Sequence, residues 1–242
     1  MSQDSTAPTV VLVHGAFADA GSWNAVTERL LAAGVKVQAP ANPLRSLIED
    51  SAYVASVIAQ IPGPVLAVGH SYGGAVISNA ATSATNVVGL VFVAAFAPDE
   101  GEVLNDVEGT SHDSVLGSAL LTANFPTGQG DETAVELYVN PAEFHQVFAN
   151  DVPEQQAGVL AAAQRPVALA AFGEKSGVPA WKTLPSWAVV ATGDKAAGAD
   201  VILSMAKRAN ADIVEVDASH VVMISQPDAV TEVILKALQA VG

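Results

Sequence analysis

The sequence predicts an α/β protein with a mainly parallel six-stranded sheet flanked by helices and a mostly helical lid inserted between the fourth and fifth strands. Short apolar runs alternate with stretches of helical periodicity along the 242 residues. Strands that are apolar throughout are typical of parallel sheets, which are buried on both faces. Half of the residues are hydrophobic and no linker divides the chain, so we expect one domain over residues 1–242.

Each predicted strand is a short apolar run that ends near turn-forming or polar residues. The runs are rich in valine and alanine, and glycine, proline or aspartate follows each of them within a few positions. In chain order, the six predicted strands are residues 10–13, 35–38, 64–68, 88–94, 187–191 and 213–216.

Helices are predicted where apolar residues recur at spacings of three and four. The first predicted helix carries Val26, Leu30 and Leu31 at this spacing. The second ends at Gly63-Pro64, because proline cannot continue a helix. In chain order, the four predicted helices cover about residues 23–33, 47–61, 73–83 and 228–241.

The segment of about residues 98–186 breaks this alternation and is predicted to form the lid. It contains several prolines and a helical patch near residues 141–150. Long excursions within a compact domain are usually functional. Open α/β sheets bind ligands at the carboxyl ends of their strands, so we expect the lid to cover that edge.

Composition excludes several classes of function. Acidic residues outnumber basic ones by 25 to 10, which gives a formal net charge of −15. Such a surface repels phosphate backbones and anionic lipids, so we expect no nucleic-acid or membrane partner. The absence of cysteine excludes disulfides and thiolate chemistry. The polar start MSQDSTAP predicts a cytoplasmic protein, and the sequence leaves monomer and homodimer open.

The sharpest motif is Gly69-His70-Ser71-Tyr72-Gly73-Gly74, which lies between a predicted strand and a predicted helix. A tight strand-to-helix turn lifts the serine hydroxyl clear of the sheet in a strained conformation. The residues two before and two after the serine then nearly touch, which requires glycine at both positions. The motif therefore predicts Ser71 as a nucleophile.

A serine nucleophile needs a base that is oriented by a carboxylate. His220 follows the last predicted strand, and Asp194 directly follows the fifth strand, so both are expected at the sheet edge that carries Ser71. The order Ser71, Asp194, His220 is the chain order of the triad in this type of fold. Asp99, which follows the fourth strand, is an alternative acid.

The oxyanion of a tetrahedral intermediate needs two N–H donors. Tyr72, the residue after the nucleophile, supplies one predicted donor. The turn His14-Gly15-Ala16-Phe17 after the first strand supplies the other. By position we favour the N–H of Ala16, with that of Phe17 as the alternative.

The chain resembles the α/β-hydrolase superfamily over nearly its whole length, in the motifs VLVHGAF, VLAVGHSYGG, VFVAAFAPDEGE, VVATGD and SHVVMISQP. The narrower resemblance is to small serine esterases related to plant methylesterases and hydroxynitrile lyases. It implies hydrolysis of small to medium carboxylic esters through an acyl-enzyme on Ser71, with His220 as base and then acid. Asp194 would orient His220. The resemblance implies no metal and no organic cofactor.

One departure from the resembling hydroxynitrile lyases favours an esterase. Those enzymes carry a lysine after the catalytic histidine, which supports cyanide chemistry, whereas Val221 follows His220 here. The same triad also serves perhydrolysis, lactone opening and carbon–carbon bond hydrolysis, and some receptors that resemble hydrolases retain it without turnover. These alternatives stay open.

Pocket residues and the remaining histidines are assigned by position alone. The side chains that we expect to line the substrate pocket or set its chain-length preference are Phe17, Phe125, Tyr138, Phe144, Phe148, Trp181 and Val221. His14 and His70 are predicted to be structural, and His112 and His145 to be surface or packing residues. No pair of histidines has the spacing of a metal site.

Overall fold

The valine-rich runs of the sequence form the central sheet of the computed structural model, which describes residues 7–242. Six strands are hydrogen-bonded in the order β2-β1-β3-β4-β8-β9, and every pairing between them is parallel. A smaller antiparallel sheet has the order β5-β6-β7. The strands are β1 Thr9–Val13, β2 Val37–Gln38, β3 Val65–His70, β4 Val87–Val93, β5 Leu120–Pro126, β6 Thr133–Val139, β7 Val167–Ala168, β8 Ser186–Ala191 and β9 Asp212–Val216.

Amphipathic helices cover the large sheet. Helices α1 and α10 pack against each other, as do α2 and α3, while α3 and α10 both contact β3 and β4. The helices are α1 Asn24–Ala32, α2 Leu47–Ala59, α3 Tyr72–Ala80, α4 Leu104–Glu108, α5 Phe144–Phe148, α6 Glu154–Ala163, α7 Leu169–Gly173, α8 Ala199–Arg208, α9 Val222–Ser225 and α10 Pro227–Val241. Strands β1, β3 and β8 are buried along their whole length, as expected for the middle of a parallel sheet.

The predicted fold class is confirmed, because all six predicted strands and all four predicted helices are present with boundary shifts of a few residues. The lid differs from the prediction in one respect. Besides helices α4 to α7, the segment 98–186 contains the β5-β6-β7 sheet, which was not predicted. Gly128 and Gly130 have positive φ angles of 84° and 60° in the turn between β5 and β6, so this hairpin did have a turn signal.

Residues 1–6, on which the expectation of a cytoplasmic protein partly rests, lie outside the described residues. From residue 7 onwards, every helix is too short or too polar to cross a bilayer.

Candidate active site

Ser71 occupies a strained turn between β3 and α3. Its backbone has φ 54° and ψ −125°, a conformation that residues with a side chain rarely adopt. A Cβ atom on Gly69 would lie 2.5 Å from the carbonyl oxygen of Gly73, and one on Gly73 would lie 2.4 Å from that of Val13. The close approach predicted for these two glycines is therefore present, and no other residue fits at either position.

Asp194 and His220 form a buried hydrogen-bonded pair. His220 Nδ1 donates to Asp194 Oδ2 at 2.7 Å, and each side chain is only 1% exposed. Asp194 Oδ1 accepts from the backbone N–H groups of Ala196 and Ala197, both at 2.9 Å. These three accepted hydrogen bonds suit an ionised carboxylate, and they leave His220 Nε2 as a proton acceptor.

The alternative acid, Asp99, is engaged elsewhere. Its carboxylate forms an ion pair with Lys182, and that hydrogen bond lowers the pKa of Asp99 below its ordinary value. The carboxylate that contacts His220 is therefore the one of Asp194, the acid that the sequence analysis favoured.

His70, the residue before Ser71, contacts the loop that carries His220. His70 Nε2 lies 2.9 Å from the backbone carbonyl oxygen of His220, and the two imidazole rings are 4.6 Å apart between centroids. The lid contributes Phe148, whose ring centroid is 4.8 Å from that of His220. Asp194 and His220 are thus in direct contact, and Ser71 is joined to them through its neighbour.

The loop after β1 lies directly against Ser71. A Cβ atom on Gly15 would be 2.6 Å from Ser71 Cβ, so this loop can approach the serine only with glycine here. Tyr72 begins α3, and its N–H therefore has no acceptor within the helix. The N–H of Ala16 donates to no acceptor among residues 7–242. The N–H of Phe17, by contrast, donates to the carbonyl of Arg165 at 3.1 Å and is not free for an oxyanion.

A narrow cavity of about 70 Å³ lies beside Phe148 between the lid and the core. Four of the predicted pocket residues, Phe17, Phe144, Phe148 and Val221, line it. Its polar side chains already form hydrogen bonds within the protein. The Gln164 amide accepts from the N–H of Val139 and donates to its carbonyl, and Asp19 Oδ1 accepts from a backbone N–H. The cavity is therefore mostly apolar. Its remaining lining residues are Ala18, Gly21, Ser22, Leu160, Ala163, Met223 and Ile224.

Three other expected pocket residues lie outside this cavity. Phe125 is on β5, where the guanidinium of Arg45 stacks 4.1 Å above its ring. Trp181 is buried and donates its indole N–H to the carbonyl of Pro98. Tyr138 donates its hydroxyl to Glu136. These contacts fit packing of the lid against the core.

A comparison with known protein families identifies the family of this chain. The family model described as "Alpha/beta hydrolase family" matches residues 10–233. The chain belongs to the alpha/beta hydrolase family. No curated protein sequence matches this hydrolase significantly.

Solved structures share the fold of this hydrolase over nearly the whole chain. Polyneuridine aldehyde esterase has a TM-score of 0.80 at 21% identity, with 96% of this chain and 99% of that chain covered. A methylesterase from Arabidopsis has 0.78 at 18% identity, covering 96% and 99%. An extracellular alpha/beta-hydrolase from a Paenibacillus species has 0.75 at 21% identity, covering 95% and 98%. The predicted family resemblance is confirmed.

Two other histidines of the hydrolase have structural contacts. His14 donates from Nδ1 to the carbonyl of Gly15 and accepts from the N–H of Asn42 at Nε2. Burial lowers the pKa of His14 to about 4, so it is neutral near pH 7. His145 donates from Nε2 to the carbonyl of Val152. No group of three or more potential ligands in residues 7–242 is placed to hold a metal ion.

Two lid carboxylates near the site were missed by sequence reasoning. Asp151 accepts hydrogen bonds from both the N–H and the hydroxyl of Ser219, the residue before His220. Glu108 lies near Asp194 and His220, and burial raises the pKa of its carboxyl. Both residues are distant from the site in sequence, and no local motif marks them.

Proposed function

We propose that the protein is a serine carboxylic-ester hydrolase that acts on small to medium esters through an acyl-enzyme on Ser71. The observation that carries the proposal is the buried Asp194–His220 pair, which follows β8 and β9 at the same carboxyl edge of the sheet where the strained Ser71 follows β3. A serine becomes a useful nucleophile only with such an oriented base.

The proposed reaction has two halves. His220 Nε2 takes the proton of Ser71 as Oγ attacks the ester carbonyl, and the N–H groups of Ala16 and Tyr72 hold the resulting oxyanion. His220 then gives that proton to the leaving alcohol, which leaves an acyl group on Ser71. A water molecule, deprotonated by His220, attacks the acyl-enzyme, and the carboxylic acid departs as the proton returns to Ser71.

Two observations support an ester with an apolar acyl or alcohol group. The cavity is lined by Phe17, Phe144 and Val221, the residue after His220, and its polar side chains are already hydrogen-bonded to the protein. Several structures with the same fold carry names of ester hydrolases, including polyneuridine aldehyde esterase and a methylesterase. The volume near 70 Å³ favours short chains.

The test uses p-nitrophenyl acetate and butyrate with two serine variants. Ser71→Ala should reduce turnover to the uncatalysed level, whereas Ser78→Ala, which removes a buried hydroxyl without a partner among the described residues, should keep it. A fluorophosphonate probe should label the wild type and Ser78→Ala at residue 71 by mass spectrometry. Equal turnover by wild type and Ser71→Ala would refute the proposal.

Hydrogen peroxide in the assay separates hydrolysis from perhydrolysis, because a perhydrolase diverts the acyl group to peroxide.

A further inference from the structure

His70 makes one hydrogen bond that links the nucleophile to the base. Its Nε2 is 2.9 Å from the backbone carbonyl oxygen of His220, which lies 150 positions away in the sequence. A carbonyl oxygen can only accept, so the proton of the neutral His70 ring must be on Nε2. The bond therefore joins the residue before Ser71 to the main chain of His220.

The rest of the His70 environment fits the same tautomer. With the proton on Nε2, Nδ1 is an acceptor, and it is buried without a partner among the described residues. The neighbouring Trp23 has a buried indole N–H that also lacks a described partner, and the two rings meet edge to face at 6.3 Å. The indole is a donor only, so an acceptor at Nδ1 of the neighbouring ring suits it.

His70 is also held neutral. Its side chain is fully buried, and this burial lowers its pKa well below 6.5. A charged His70 would place a second cation 4.6 Å from the ring that becomes an imidazolium during the proposed reaction. A neutral donor can fix the main chain of His220 without opposing the charge that develops on its ring.

From these contacts we propose that His70 is a positioning residue for the base of the proposed esterase reaction, with its Nε2–H fixing the main chain of His220 relative to Ser71. The proposal rests on the proposed function. Two anchors then hold the histidine: Asp194 sets the orientation of the ring, and His70 sets the position of the backbone that carries it.

The decisive comparison is between His70→Gln and His70→Asn. The Gln amide nitrogen is as many bonds from Cβ as His Nε2, whereas the Asn amide nitrogen is one bond too short to reach the carbonyl. We expect His70→Asn to lower kcat about 10- to 100-fold with KM nearly unchanged, since misplacement of a catalytic group affects the chemical step. His70→Gln should recover most of that loss. Circular dichroism and urea unfolding check that both variants fold.

Equal kcat values in the two variants would overturn the proposal, whether both are impaired or both match the wild type. A second measurement needs no variant to be active: ¹⁵N spectra of histidine-labelled wild type should show His70 as a neutral Nε2–H tautomer from pH 5 to 9, assigned by its loss in His70→Gln. A charged ring or an Nδ1–H tautomer would refute the hydrogen bond. If the wild type hydrolyses no ester, the proposed function fails, while these spectra still decide the contact.

Discussion

At the scale of single residues, two aspartates that follow neighbouring strands differ sharply in their contacts. Asp194 is buried against His220, and Asp99 is paired with Lys182 near the surface. We expect Asp194→Asn to lower kcat about 10³- to 10⁴-fold, because the amide cannot hold the imidazole in the required tautomer. The matched variant Asp99→Asn should retain near wild-type kcat in the same p-nitrophenyl ester assay. A larger loss in Asp99→Asn would reverse the assignment of the acid.

A second pair of single-residue changes tests the turn around Ser71. A Cβ atom at Gly73 would lie 2.4 Å from a backbone oxygen, so we expect Gly73→Ala to lower the free energy of unfolding by at least about 1–3 kcal/mol. Gly158 lies on the exposed side of α6 with open space around it, so Gly158→Ala should raise stability by about 0.5–1 kcal/mol. Urea unfolding measures both. Equal effects in the two variants would contradict the steric argument.

The sequence alone predicted the site residues that follow strands. It could not predict residues whose contacts with the site come from distant parts of the chain. Ser71, Asp194 and His220 each lie just beyond an apolar run, and carboxyl ends of parallel strands share one edge. The contact of His70 with the carbonyl of His220 depends on the path of a loop 150 positions away. The same holds for Asp151, whose partner Ser219 is 68 positions distant.

At the scale of elements, the lid is hydrogen-bonded to three loops that carry candidate site residues. The carbonyl of Arg165 accepts a hydrogen bond from the N–H of Phe17, the residue after the proposed oxyanion donor Ala16. Ser114 donates to the carbonyl of Ala196 in the Asp194 loop at 2.6 Å. Asp151 holds Ser219 next to His220. In this structure the lid supports the site as well as covering it.

The contact of Asp151 with the His220 loop can be tested separately. Asp151→Asn keeps one acceptor oxygen and turns the other into a donor, so Ser219 can no longer donate both of its hydrogen bonds to this side chain. We expect kcat to fall roughly tenfold in the ester assay, because the loop that carries His220 is less firmly placed. Asp131→Asn, in the exposed turn between β5 and β6, is the matched control and should keep wild-type kcat. Unchanged kcat in Asp151→Asn would show that this contact does not position the base.

Among the elements that the sequence prediction missed, strand β5 and helix α8 were missed for different physical reasons. Strand β5 alternates between half-buried and exposed positions and contains Asn124 and Pro126, so it lacks the apolar run that marked the strands of the large sheet. Helix α8 begins after Gly198 without a side-chain cap, but its four buried residues recur at spacings of three and four, so its periodic signal was present and was overlooked. Strand β5 therefore depends on packing, whereas α8 could have been predicted from its periodicity.

At the scale of the whole molecule, buried histidines determine how stability responds to acid. Burial lowers the pKa of His14 from 6.5 to about 4 and lowers that of His70 well below 6.5. Between pH 6.5 and about 4 the unfolded chain binds protons that the folded protein does not, so the free energy of unfolding falls as the pH drops. Each imidazole contributes about 1.4 kcal/mol per pH unit in that window. The raised pKa of buried Asp50 acts in the opposite direction.

Urea unfolding from pH 7.5 to 4.5 measures this slope. His14→Gln should lower the slope by about 1.4 kcal/mol per pH unit, since it removes one of the two imidazoles whose pKa burial lowers. Leu30→Ala is the matched control, because it destabilises the fully buried core by about 2–5 kcal/mol and keeps both histidines. The control should keep the wild-type slope, and equal slopes in the two variants would refute the assignment.

The net charge of −15 should also act on substrates before they reach the site. A negatively charged protein repels an anionic ester over about 30 Å at 0.01 M salt and over about 8 Å at 0.15 M. We therefore expect kcat/KM for mono-4-nitrophenyl succinate to rise several-fold over this salt range. The matched neutral ester, 4-nitrophenyl 4-methylpentanoate, replaces the carboxylate oxygens by methyl groups and should show little change. Parallel salt dependence for the two esters would show that the surface charge does not reach the entrance to the site.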